Sequence, residues 1–400
     1  MSEVVPEGWQ STKLRSLVTL EYGKSPKDVK VDNGRIPIIG TSGIVGFADK
    51  SLYSSSSVIL GRKGTINKPF FISEPFWAID TTYFTKFGEH CDPLWFYLKI
   101  SNENLEKYNE ASGVPSLNRE TLYSIETLLP PLPEQKKIAS ILTSVDEVIE
   151  NTQKQIDKLQ DLKKATMNEL LTKGIGHTEF KDSELGRIPK SWEVKSIGRL
   201  LLKEYLLAMK DGNHGSQYPR SNEFQSTGIP FLAASSISES GSFNLNELPC
   251  LSFERASKLR IPNARGGDVV LTHNATVGRV SIIPNNYGDV IMSTSTTFYR
   301  VNPKKLNNLY LKCFFEGLPF QLQLQKIMGQ TTRNQVPITA QRDLFVCIPP
   351  KLDEQIRISE KISSLETYLK NKLEKLSQTQ SLKKSLMQDL LTGKKRVQVN

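Results

Sequence analysis

Two loops in this sequence carry side chains able to read the edges of nucleic-acid bases. Gly61-Arg62-Lys63-Gly64-Thr65-Ile66-Asn67-Lys68 follows the apolar run Val58-Ile59-Leu60, and Thr272-His273-Asn274-Ala275-Thr276-Val277-Gly278-Arg279 follows Val269-Val270-Leu271. Arginine and lysine fork onto guanine O6 and N7, asparagine and glutamine onto adenine N6 and N7, and Ser, Thr and Gly amides hold phosphates. Arg62, Lys63, Asn67 and Lys68 supply that chemistry in the first half of the chain. His273, Asn274, Arg279, Arg333, Asn334 and Gln335 supply it in the second. Such residues also decorate ordinary solvent-facing turns, and it is their recurrence at matching places that favours base reading. If Arg62 and Arg333 read guanine, replacing either with alanine should weaken binding by about 1–3 kcal/mol.

Motifs for catalysis are missing. The sequence has no Gly-x-x-x-x-Gly-Lys-Ser/Thr phosphate loop, no Gly-x-Ser-x-Gly elbow and no His-Glu-x-x-His pair. Asn67-Lys68-Pro69-Phe70 grazes the Asn-Pro-Pro-Tyr/Phe motif of amino-methyltransferases, but Lys68 replaces the first proline and no glycine-rich cofactor loop precedes it. His90 and Cys91 are neighbours and cannot chelate or pair as base and nucleophile. The chain reads as non-catalytic, without a metal or cofactor of its own.

The elements that position these loops come in two copies. Leu129-Pro130-Pro131-Leu132-Pro133-Glu134-Gln135 recurs as Ile348-Pro349-Pro350-Lys351-Leu352-Asp353-Glu354-Gln355, with Lys351 inserted. Beyond it the copies run at an offset of 220, matching Leu162-Lys163-Lys164 to Leu382-Lys383-Lys384 and Leu170-Leu171-Thr172 to Leu390-Leu391-Thr392. Upstream, at an offset of 183, Pro6, Trp9, Leu17, Glu21 and Tyr22 echo Pro189, Trp192, Leu200, Glu204 and Tyr205. Each half is a Pro-x-x-Trp opening, a variable body, a Pro-Pro mark and a long tail. The bodies alternate short strands, polar loops and a helix, an α+β pattern.

The tails are helices. Apolar or small residues recur at Leu142, Val145, Ile149, Thr152, Ile156, Leu159, Lys163, Thr166 and Leu170, and at Ile362, Leu365, Leu369, Lys372, Leu376, Thr379, Lys383, Leu386 and Leu390. Steps alternating four and three make a coiled-coil seam, with breaks expected at Lys163 and Lys383. Neither helix can bury its stripe alone, so the two are expected to pack antiparallel. Gly174, Gly176 and Gly393 end them.

Charge sorts the segments. Among 400 residues, Lys and Arg number 52 against 42 Asp and Glu, a net charge of +10. Residues 183–350 carry 19 basic and 12 acidic side chains, whereas residues 1–133 carry 14 and 15. An excess of positive charge points to an anionic partner such as nucleic acid. No apolar run reaches the roughly 18 residues of a membrane span, and the charged N-terminal stretch lacks a signal-peptide core. Cys91, Cys250, Cys313 and Cys347 are too far apart for a zinc knuckle and suit reduced thiols in the cytoplasm.

The ordered duplication resembles the specificity subunit of type I restriction-modification systems over nearly the whole chain, with both copies present as in a full-length subunit. The resemblance implies target recognition domains at 1–133 and 176–352, helical spacers at 134–175 and 353–393, and a basic tail at 394–400. Each recognition domain would read one half of a bipartite, asymmetric double-stranded DNA target. The helices would form an antiparallel coiled coil within a pseudo-twofold repeat, serving as ruler and as dock for two adenine-N6 methyltransferase subunits. Restriction/translocase subunits would complete the complex, and S-adenosylmethionine, ATP and Mg²⁺ would act through those other subunits. The family's contact loops map to 41–50, 62–68 and 112–119, adding Thr41, Ser42, Lys50, Thr65, Ser112, Asn118 and Arg119. In the second half they map to 233–236, 272–279 and 331–335, adding Ser235, Ser236, Thr276, Thr331 and Thr332. A rival reading is a coiled-coil scaffold or adaptor whose heads bind peptides or RNA.

Overall fold

The computed structural model describes residues 5–261, 263–329 and 334–399. Packing groups the chain into two units, residues 1–155 with 372–400 and residues 156–371, so that each unit holds one body and a part of each long helix.

In the first unit the buried strand Ser57–Gly61 is central. Its β-branched run pairs with Thr82–Phe87 on one side and Phe70–Ile72 on the other, and Val18–Tyr22 lies beyond Thr82–Phe87. A second sheet orders Gly43–Ala48, Ile36–Gly40 and Trp77–Ala78. The region 41–50, expected as a loop, is therefore a two-residue turn at Thr41-Ser42 followed by a strand. The second unit repeats the plan. Val269–Thr272 pairs with Thr296–Val301 and Val280–Ile282, and Leu206–Lys210 lies outside Thr296–Val301. Its extra length includes the helix Leu318–Met328 and a four-stranded sheet built around Ile229–Leu232.

The long helices span Leu132–Lys173 and Leu352–Leu390. The first begins two residues before Glu134, because proline is tolerated in an opening turn whose N–H groups have no partner. Seam residues Leu142, Ile156, Ile362, Leu376 and Leu390 are buried; Val145, Ile149, Leu159, Leu170, Leu365, Leu369 and Leu386 are half-buried. In the first unit Lys372 Nζ donates to Gln155 Oε1 (2.7 Å) and Lys383 Nζ lies 2.6 Å from Asp146 Oδ1. Numbers rising on one helix meet numbers falling on the other, which is antiparallel packing. In the second unit Lys163 Nζ meets Glu366 Oε1 at 2.8 Å, and Met167 and Leu171 join Ile358 and Ile362 in one core. Lys163 and Lys383 thus do not break the seam. Each closes it with an ion pair, at positions 220 apart.

The Pro-Pro-Leu-Pro-Glu-Gln segment fastens body to helix. Trp9 Nε1 donates to Glu134 Oε2 (3.0 Å), and Trp192 Nε1 to Glu354 Oε2 (3.3 Å). Gln135 Nε2 donates to the carbonyls of His90 and Pro130, and its Oε1 accepts from Asp92 N. Gln355 repeats this with Lys305, Pro349 and Asn307. Asp92 and Asn307 in turn cap the helices Pro93–Ser101 and Asn308–Glu316. The insertion of Lys351 is absorbed in the turn before the helix and leaves the bracket intact. Each helix ends in a left-handed glycine that must lie against the tryptophan. A Cβ on Gly174 (φ +67) would stand 2.7 Å from Trp192 Cζ2, and one on Gly393 (φ +73) 2.5 Å from Pro6 Cγ.

Candidate nucleic-acid interface

Three loops meet in the first unit. Leu117 N donates to Arg62 O (2.9 Å), Gly64 N donates to Pro115 O (2.8 Å), and Lys63 bridges Ser116. Gly64 has φ +97, and a Cβ there would lie 3.6 Å from Thr41 Oγ1. The loop after the central strand is therefore laced to the loop before the Pro-Pro, with the hairpin turn beside it. The Arg62 guanidinium donates to Asp80 O (3.1 Å) and lies 5.4 Å from the centroid of Tyr22, while Arg119 lies 5.0 Å from the same ring. Tyr83 packs 5.1 Å from Tyr22, and burial pushes its hydroxyl up to about 12, so it stays neutral and donates to Leu117 O. Ser42, Lys50, Lys63, Lys68 and Ser112 are exposed, and Thr65 is half-buried. Two expected readers are occupied. Asn67 Nδ2 is bonded to Glu106 Oε1 (2.6 Å), and Asn118 Oδ1 caps the helix Arg119–Ser124 by accepting from Glu120 N.

The second unit repeats the lacing with different side chains. Val336 N donates to His273 O (2.8 Å), Ala275 N to Asn334 O (3.0 Å), and Asn274 bridges Gln335. Ala234 N donates to Ser295 Oγ and His273 N to Ser295 O, which draws in the Ser235-Ser236 segment. His273 itself is 2% exposed, with both ring nitrogens unpartnered among the described residues. Burial holds its pKa below the ordinary histidine value, so the expected reader at 273 is a neutral ring shut away from the surface. Arg279 is anchored within the unit, its Nη1 on Ile237 O at 2.5 Å and its Nη2 3.9 Å from Glu239 Oε1. Ser235 and Asn334 are exposed, and Ser236, Asn274, Thr276 and Gln335 are half-buried. Thr331, Thr332 and Arg333 lie outside the described residues.

Among the described residues no cluster of three or more His, Cys, Asp or Glu could hold a metal, and no helix is long and apolar enough to cross a membrane. All four cysteines are buried free thiols.

Comparison with known proteins now decides the family. The model of the type I restriction modification DNA specificity domain matches residues 6–161 and again 189–384. The chain belongs to this specificity family. The MjaVIII specificity subunit of Methanocaldococcus jannaschii is 26% identical over 98% of this chain and 94% of its own. The EcoBI specificity subunit of Escherichia coli is 20% identical over 91% and 80%. The crystal structure of the type I S subunit from M. genitalium shares the fold at a TM-score of 0.62 and 14% identity, covering 98% of this chain and 97% of that one.

Within this specificity-family chain, sequence reasoning missed Tyr22 as a site residue. The offset of 183 pairs it with Tyr205, but the two are not equivalent. Tyr22 ends the strand Val18–Tyr22, whereas Tyr205 precedes the strand Leu206–Lys210 and sits beneath Lys195 and Lys305. Strand pairing places Val18 opposite Phe87 and Leu206 opposite Val301, so the residue matching Tyr22 in the second unit is near Asp211. Asp211 is bonded to His214 at 2.8 Å. At one topological position, then, the first unit offers an aromatic ring with two guanidiniums and the second a carboxylate with histidines.

Proposed function

We propose that this chain is the non-catalytic specificity subunit of a type I restriction-modification complex, each unit reading one half of a bipartite, asymmetric DNA target in the cytoplasm. The observation that carries this is the duplicated lacing of two polar loops, 62–64 with 115–117 and 273–275 with 334–336, on bodies whose side chains differ at matching places. Unlike readers favour unlike half-sites. The basic second body supplies a net phosphate attraction that the nearly neutral first body can offer only through local cations. Methyltransferase subunits dock on the long helices, one to each unit. Supporting this, exposed apolar residues stand immediately before seam positions at Val148 and Leu382 in the first unit and at Leu162 and Tyr368 in the second, where coiled coils ordinarily carry charge. S-adenosylmethionine, ATP and Mg²⁺ are used by the partner subunits, restriction/translocase subunits included. The test exchanges residues 1–133 for another family body and maps the methylated motif. One half-site should change and the other stay; a change in both ends the reading. A gel shift of rising salt concentration with no sequence-specific complex at any step would favour the scaffold alternative.

A further inference from the structure

Two permanent positive charges share one exposed ring in the first unit. Arg62 and Arg119 both lie over Tyr22, which is 45% exposed. Neither guanidinium has a carboxylate in ion-pair reach among the described residues, and Arg119 has no hydrogen-bond partner there. Two cations gathered at one ring with no carboxylate beside them make a place that an acceptor-rich ligand would complete. The fold fixes both. Arg62 is held by the Asp80 carbonyl and by the Leu117 N–H on its own carbonyl, and Arg119 opens the helix that Asn118 caps. Tyr83 supports the ring from beside it. Among its described residues the second unit shows no counterpart: near the same place stand Asp211, the buried His273, and Ile338 opening the matching helix.

We propose that Arg119 reads a guanine in the half-site of the first unit, with Tyr22 as its positioning residue; this rests on the DNA-reading function above. A guanidinium laid against an aromatic ring keeps its N–H edge in one plane, which suits the paired O6 and N7 acceptors of guanine. A phosphate demands no such planarity and is served by exposed Lys63 on the adjoining loop. Tyr22 acts by fixing that plane while its open edge packs against the neighbouring nucleotide.

The experiment selects binding sites from randomised duplexes with the full chain co-purified with its methyltransferase subunits. The wild type should return a two-part motif with guanine in one part. Arg119→Ala and Tyr22→Ala should each lower the preference for that guanine roughly five- to a hundredfold and leave the other half-site untouched. Tyr22→Phe should keep the preference, and Arg119→Lys should lose most of it. Tyr22→Leu, which fills the space without a π face, guards against simple unfolding of the alanine variant, and unchanged binding to random duplex checks the fold. Persistence of the guanine in Arg119→Ala, or in both Tyr22→Ala and Tyr22→Leu, overturns the proposal, as does an equal loss on every sequence. A wild type that selects no motif overturns the DNA-reading function itself.

Discussion

Glu134 shows how much one side chain can hold. Its carboxylate accepts from Trp9 Nε1 and from both Nε (2.7 Å) and Nη2 (2.8 Å) of Arg396. Burial pushes its pKa up, but the bonds from Arg396 and Trp9 outweigh burial and hold the group below the ordinary glutamate value. Glu134→Ala would leave the buried indole N–H unpaired, so we expect it to destabilise the protein by about 2 kcal/mol in a denaturant titration. Glu134→Gln, which keeps an acceptor, should cost less. Because the folded pKa lies below the unfolded one, this carboxylate's contribution is present above the unfolded value near 4.3 and fades as pH falls through the folded one. The wild type should therefore lose its advantage over Glu134→Gln on acidification, read as converging melting temperatures. An advantage that grows in acid would contradict the assignment.

At the scale of the helix, the two seam lysines are equivalent in sequence but not in surroundings. Lys383 meets Asp146, whose side chain is 44% exposed, whereas Lys163 meets Glu366, which also accepts from half-buried Lys312. Lys312 in turn reaches Glu316 at 3.0 Å. Burial alone would raise Glu366, yet Lys312 and Lys163 hold its pKa down; Glu316, with burial dominant, is pushed up. Glu366→Ala would take from Lys163 and Lys312 the carboxylate they share, leaving Lys312 with Glu316 alone. We expect a loss of about 2–3 kcal/mol, somewhat under that of a fully buried pair. Asp146→Ala should cost about 0.5–1 kcal/mol. Similar losses for the two variants in parallel thermal melts would show that the network adds nothing to the single pair.

For the whole molecule, the proposed docking of one methyltransferase subunit to each unit makes two equal places that should be separable by mutation. Replacing Val148 and Leu382 with serine should remove one methyltransferase subunit from the complex, and replacing Leu162 and Tyr368 should remove the other. Each double variant should run in native mass spectrometry as an assembly short by one partner chain. If either variant keeps both partners, or loses both together, the exposed apolar residues are not independent docks.

The sequence alone determined the repeat and the apolar positions of the seam, because these depend on periodicity and on motifs whose spacing survives duplication. The recurring Trp, Glu and Gln were visible as motifs, but their bonding to one another, and the ion pairs that close the seam at Lys163 and Lys383, were not. The position of polar loops after the central strands was legible for the same reason. Which side chain in a loop stays available was not. Asn67, Asn118, Arg279 and His273 look alike as readers in one dimension, but packing assigns the first to Glu106, the second to a helix cap, the third to a carbonyl and the last to the interior. Tyr22 and Arg119 are 97 positions apart and meet because Tyr22 pairs with Tyr83 across the sheet and Tyr83 donates to Leu117 O, two residues before Arg119. Apart from the local cap at Asn118, these partners and the cation–π contacts come from residues remote in sequence, so only the tertiary structure decides them.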